Sequence, residues 1–361
     1  MTLYVYNASL ERIGLVEDIR SLQWLSEYQD AGEVKLMCSA TQKNTALLVD
    51  GNRLYCTEQP ESAVIREVTL EDKGKDATLT VRAPLSVSRW ADRIVMATEN
   101  ISGVESGMLG LTTKHRRGLR GTTAAAKGFT AKTDTQITWG SVLAAEISLA
   151  TASGLGFRET FAPETGVETF EVYQGTDRTA GNGYNGYFGD DIDNLSNLKI
   201  VQGSADWKNV AFVGGQGEGT ARKIITVTLG RYAGDDRREL WVDAKDIAQT
   251  YQVATPDGQG GYTYSEATYT ESQYTALLEA RGLEKLAAQL KTLEVSAALG
   301  QGLMRYGQDY FLGDIVPLKI TRYGLRLSAR VSAVRTVYEK TGKSVNAILS
   351  DFALEKEATS L

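Results

Sequence analysis

Short runs of alternating apolar and polar residues fill most of the chain, and this pattern predicts strands. Val34, Leu36 and Cys38 alternate with Lys35 and Met37, and Leu79 and Val81 with Thr78, Thr80 and Arg82. Turn residues divide these runs at Asp50-Gly51-Asn52 and Asp72-Lys73-Gly74-Lys75. Glu168 to Tyr173, Ile224 to Leu229, Leu240 to Val242, Leu293 to Leu299 and Leu325 to Val331 continue the pattern. A hairpin turn at Glu339 to Lys343 leads into Val345, Ala347 and Leu349.

Two helices interrupt the strands. The first is expected from Thr138 as N-cap, with Trp139, Val142, Leu143, Ile147 and Ala150 on one face and Gly154 as its stop. The second begins at Thr270, where Thr270-Glu271-Ser272-Gln273 fits a capping box. Tyr274, Leu277 and Leu278 form its apolar face, and Gly282 divides it from Leu283 to Leu290. From Glu99 to Asp134 the periodicity dissolves into Gly, Thr and Ala around Lys114, Arg116, Arg117, Arg120 and Lys127, which reads as an exposed basic connector. Pro256 to Gly261 reads as a loop. The expected fold class is α+β, mostly β.

Composition narrows the chemistry. A length of 361 residues suits two to three domains, and 36 Gly against 5 Pro suits a chain of many turns. The formal charge of −6 argues against a phosphate-gripping surface. Two cysteines, Cys38 and Cys56, make neither a disulfide framework nor a zinc motif. The single histidine, His115, sits among Lys114, Arg116 and Arg117 and reads as a loop residue with no orienting carboxylate. Gly214 to Thr220 is glycine-rich but lacks the lysine and following helix of a phosphate loop, so a hairpin loop is expected. Asp190, Asp191 and Asp193 fail calcium-loop spacing, with Leu195 and Ser196 where a ligand and Gly belong. The N-terminus lacks a signal-peptide pattern, and the apolar stretch from Val142 to Ala152 is broken by Glu146, so no membrane span is expected. No catalytic, metal or cofactor site is expected.

Specific fragments then follow one another along the chain. Trp24, Tyr28, Gly32-Glu33-Val34 and Leu36 open the series, and Trp90-Ala91-Asp92-Arg93-Ile94 closes its first part. Gly175-Thr176-Asp177-Arg178-Thr179, Asp193-Asn194-Leu195, Lys208-Asn209-Val210 and Arg237-Arg238-Glu239 occupy the middle. Asp309-Tyr310-Phe311-Leu312-Gly313-Asp314 comes near the end. In this order they resemble the tail hub, or tail-tip base, proteins of siphophages, whose fold also forms the N-terminal part of tail-associated lysins. The resemblance implies two small tube-like β-barrels, residues 1–95 and 291–361, around a connector at 96–155 and an α+β middle at 156–290. It implies a homotrimeric ring at the virion tail tip, assembled in the host cytoplasm. Distal tail protein, tail tube, tape-measure protein and tip or fibre proteins would be its partners, with DNA only in transit. Asp177-Arg178 and Arg237-Arg238-Glu239 are expected to fix loops or a subunit boundary, and Leu312-Gly313-Asp314 to enter a strand, rather than to catalyse. The rival readings are a tail-associated cell-wall hydrolase and a sugar-binding receptor module. The latter rests on Tyr184, Tyr187, Phe188, Tyr262, Tyr264 and Tyr269.

Overall fold

The strand Leu325–Glu339 organises the architecture. Its first half pairs with Ile315–Ile320, its second half with Ile19–Glu27, and its other edge with Gly342–Leu354, all antiparallel. The sheet continues from Ile19–Glu27 through Glu33–Ser39 and Ala77–Pro84 to Glu67–Asp72, so the two ends of the chain share one sheet. This computed structural model describes residues 1–74, 76–179, 186–256, 262–289, 292–299 and 304–354. The predicted loop at Pro256 to Gly261 therefore falls almost wholly outside the described residues, as does Tyr184.

Among the described residues the alternation builds three larger cores and a small cluster of Tyr6, Leu10 and Phe161. In the largest, the inward residues of the shared sheet meet a four-stranded sheet, Arg12–Leu15, Leu3–Tyr6, Arg53–Cys56 and Ser62–Val64. The helices Val104–Lys114 and Val142–Ser153 and the hairpin Gly156–Ala162/Val167–Tyr173 contribute to this core, in which Trp24, Trp90, Phe157 and Phe170 are buried. A second core gathers Tyr28, Phe188, Tyr310 and Leu312 on Leu318, Leu327 and Val331. In the third, the helix Glu271–Ala287 lies on the sheet Ile224–Thr228, Val210–Gly214, Glu239–Asp243.

The fold is mostly β with segregated helices, as expected, but no described sheet closes into a barrel, so the two tube-like barrels are not seen. One sheet ends on Glu67–Asp72, whose six residues are all exposed, and among the described residues no further strand pairs with that edge. The connector reading also needs correction. Residues 99–137 contain the paired strands Glu99–Gly103 and Lys132–Ile137 and the helix Val104–Lys114 between them. The first predicted helix is capped by Ser141, whose Oγ accepts from Ala144 N at 3.1 Å, not by Thr138. Trp139 precedes it at φ 52° and points outward. Gly154 does end it, at φ 71°. Thr270 and Gln273 form the expected capping box. Gly282 divides nothing: the helix runs through it because a Cβ there would lie 2.7 Å from Val227 Cγ2, so glycine lets helix and sheet close up. No helix among the described residues is long and apolar enough to cross a membrane.

Candidate functional site

Tyr28 and Asp314 form the point where distant segments of the chain are tied. Gly313 adopts φ 92°, a backbone that L side chains avoid, and a Cβ there would stand 2.3 Å from the Tyr28 ring. A Cβ on Gly156 would come within 2.1 Å of the same ring, so Tyr28 is enclosed by bare backbone on two sides. Its hydroxyl donates to Gly154 O at 3.0 Å and accepts from Gly175 N at 3.1 Å. The Arg330 guanidinium lies 5.2 Å from the ring centre and donates to Gly313 O at 2.9 Å.

Asp314 is buried and fully used. Oδ1 accepts from Thr176 N at 2.7 Å, and Oδ2 from Phe311 N at 2.9 Å and Arg178 Nε at 2.5 Å. Thr176 O and Ile315 O then accept from Ile315 N and Arg178 N, which stitches Asp177 beside Ile315 as a parallel bridge. Tyr28, Asp177, Arg178, Leu312, Gly313 and Asp314 thus come together. Chemically this is a clamp: three donors saturate one carboxylate, and it presents no nucleophile.

The clamp borders a cavity of about 280 Å³, where Glu61, Arg158 and Tyr173 line the wall together with Asp314. Burial pushes the Glu61 carboxyl up to about 7, against the pull of Arg158 and a 3.2 Å hydrogen bond from Ser26 Oγ. Burial likewise raises the Tyr173 phenol. Arg158 sits 4.7 Å over the Tyr173 ring and donates to Glu171 at 2.7 Å.

The other singled-out residues lie elsewhere. Trp24 is fully buried in the largest core. Arg93 donates to Arg116 O at 3.1 Å. Arg237 pairs with Glu239 at 2.6 Å, and Arg238 N donates to Asn209 Oδ1 at 2.9 Å, both in the small sheet-and-helix unit. Asn194 and Asn209 are buried and bind main chain, Asn194 through Gly189 N at 2.7 Å and Tyr187 O at 3.0 Å. Asp191 pairs with Lys319 at 2.7 Å, while Asp190 accepts from Thr321 N and Arg322 N. Gly214 to Thr220 links two antiparallel strands, as a hairpin should. His115 does have a carboxylate near: Nε2 is 3.4 Å from Glu99 Oε1 at the buried end of its helix. Burial lowers its pKa against the pull of Glu99.

Sequence reasoning missed one buried polar cluster. Arg89 joins Glu159 at 2.7 Å and Glu168 at 2.6 Å, and Ser62 and Ser86 donate to Glu168 at 2.8 and 2.7 Å. The signal was present, because Glu159 alternates with Phe157 and Phe161, and Glu168 with Phe170 and Val172, on the core-facing side of one hairpin. Burial raises the Glu159 pKa while Arg89 opposes it.

Residues 2–349 match the family model described as Siphovirus ReqiPepy6 Gp37-like protein. No curated protein sequence matches the chain. The fold is similar to the 43 kDa tail protein of prophage MuSo2 from Shewanella oneidensis, at 9% identity, TM-score 0.58, covering 97% of this chain and 98% of that one. It is also similar to prophage tail protein gp18 from Listeria monocytogenes, at 12% identity and TM-score 0.54 over 97% and 95% of the two chains. A tail protein from Neisseria meningitidis gives 11%, 0.56, 97% and 96%. The match spans nearly the whole chain, and the chain belongs to the siphovirus ReqiPepy6 Gp37-like family.

Proposed function

We propose that this protein is the structural hub of a phage tail tip, non-enzymatic, with three copies closed into a ring that continues the tail tube. The observation that carries this reading is the family match over residues 2–349. The open strand Glu67–Asp72 supports it physically. Val68 and Leu70 are exposed on a sheet edge that a neighbouring chain can extend. In a ring, head-to-tail contacts of this kind close if the rotation does. The two barrel-like walls, residues 1–95 and 291–361, would be completed by neighbours rather than within one chain. Distal tail protein and tube would sit above, tip or fibre proteins below, with tape measure and then DNA passing through. Asp177-Arg178 and Leu312-Gly313-Asp314 would set the geometry between the two walls.

Each chain carries −6, so the ring is strongly acidic, and a lumen of acidic and small polar side chains lets DNA slide. The basic segment belongs outside that lumen. Its cations are occupied within the chain: Lys114 on Glu99 at 2.5 Å, Lys127 on Glu171 at 2.8 Å, and Arg117 on Ile94 O at 2.8 Å. Light scattering should give three times 39.3 kDa, and electron microscopy a threefold ring. A monomer, both alone and with its tail partners, would overturn the reading.

A further inference from the structure

The small unit built on the helix Glu271–Ala287 covers only one side of its three-stranded sheet. Ala211, Val213, Val227 and Val242 face the helix. On the opposite side Thr226, Phe212 and Trp241 form one row across the three strands, in register. Trp241 is 52% exposed there. Gly214 makes room for it: a Cβ at Gly214 would meet Trp241 Cη2 at 2.6 Å and Arg222 Cζ at 2.7 Å, so indole and guanidinium both lie against bare backbone. Arg222 is locked, donating to Gly215 O at 2.8 Å and Gly214 O at 2.7 Å, pairing with Asp243, and sitting 5.1 Å from the Trp241 ring centre. Arg237 lies 5.8 Å from the Phe212 ring centre and pairs with Glu239.

We infer that this face is a binding platform for a neutral hexopyranose glycan. A rigid, half-exposed indole offers a flat surface to the C–H face of a pyranose ring. The guanidiniums beside it are each matched by a carboxylate, Arg222 by Asp243 and Arg237 by Glu239, so neither is an unpaired cation for phosphate or sulfate. What remains are planar donors next to carboxylate acceptors, the set that vicinal hydroxyls satisfy on both sides. A nucleic acid would need unpaired cations between the rings. The platform does not depend on ring assembly.

The test applies the full-length protein to arrayed chitin-type, glucan and galactan oligomers, with sulfated oligosaccharides and a thymidine oligonucleotide alongside. Retention on at least one neutral oligomer is expected, weakened at least tenfold by Trp241→Ala and restored to within a few fold by Trp241→Tyr, which returns a flat ring. Asp243→Asn should weaken neutral binding and create retention on the sulfated sugars, because Arg222 loses its carboxylate; a mere loss of structure would not produce that gain. Equal circular dichroism and melting temperature across the variants separate loss of platform from loss of fold. Retention on no neutral oligomer, retention unchanged in Trp241→Ala, or binding confined to the oligonucleotide would overturn the inference.

Discussion

The ion pairs Arg178–Asp314 and Arg237–Glu239 have nearly the same length, 2.5 and 2.6 Å, and both arise from short charged motifs in glycine-containing or turn-like stretches. Their surroundings differ. The Asp314 side chain is 3% exposed and accepts two main-chain N–H groups besides the guanidinium. The Glu239 side chain is 49% exposed and stands beside a bare sheet face. Equal geometry therefore carries unequal energy: a buried carboxylate that loses its guanidinium has little water to replace it, whereas an exposed pair exchanges its partner for solvent. The inward pair holds the fold and the outward pair is free to meet something else.

The largest effect should come from Asp314→Ala. It removes the shared acceptor of the Arg178 guanidinium, Thr176 N and Phe311 N, and a loss of about 3–5 kcal/mol in urea unfolding is expected. Asp314→Asn keeps the shape and some acceptor capacity, so it should lose distinctly less. Equal losses would mean that the charge contributes nothing. Next is Gly313→Ala, which places a methyl 2.3 Å from the Tyr28 ring at φ 92°. Overpacking and a disfavoured backbone together should cost about 2–4 kcal/mol. A thermal melt within a degree of the parent protein would break the account of Tyr28 as a filled slot.

How much of this the sequence disclosed depended on the range of the interaction. The capping box at Thr270 and the stop at Gly154 are local, and both stand where the residues put them. The helix Val104–Lys114 was hidden because Gly107 and Gly110 look like loop composition. Gly107 is there for packing, since a Cβ would meet Ile101 Cγ2 at 2.4 Å. The pairing of Ile19–Glu27 with Ala333–Glu339 joins chain ends, and no local pattern encodes a partner so distant. The motifs around Tyr28, Arg178 and Asp314 were visible one by one, but their convergence was not.

A titration sharpens the contrast between satisfied and unsatisfied burial. Glu146, inside the helix Val142–Ser153, is fully buried with no hydrogen-bond partner on either oxygen among the described residues, and burial raises its pKa well above the ordinary 4.5. Glu61 is raised to about 7 by the same cause. Below pH 4.5 folded and unfolded chains both hold these protons, and neither group alters stability. As pH rises past 4.5 the unfolded chain releases them while the folded chain does not, so stability falls, for Glu61 until about pH 7. Urea melts across that window should show Glu61→Gln gaining on the parent protein as pH rises. For Glu146→Gln the gain should run in the same direction as pH rises above 4.5. A difference independent of pH would show that these carboxyls are not held protonated.

The smallest effect is expected from Arg237→Ala. The Arg237 side chain is 37% exposed, and its Glu239 partner can turn to water when the guanidinium goes. Exposed pairs contribute about 0.2–1 kcal/mol, so the change in unfolding free energy should stay below about 0.5 kcal/mol. Lost packing over Phe212, 5.8 Å from the guanidinium, adds little because that ring is already partly wet. A double-mutant cycle with Glu239→Ala should return a coupling energy near zero at physiological salt, while the same cycle on Arg178 and Asp314 returns one several times larger. Strong coupling at Arg237–Glu239 in the isolated chain would remove the distinction between the two pairs. It would mean that the outer sheet face is held as rigidly by its ion pairs as the clamp is by burial.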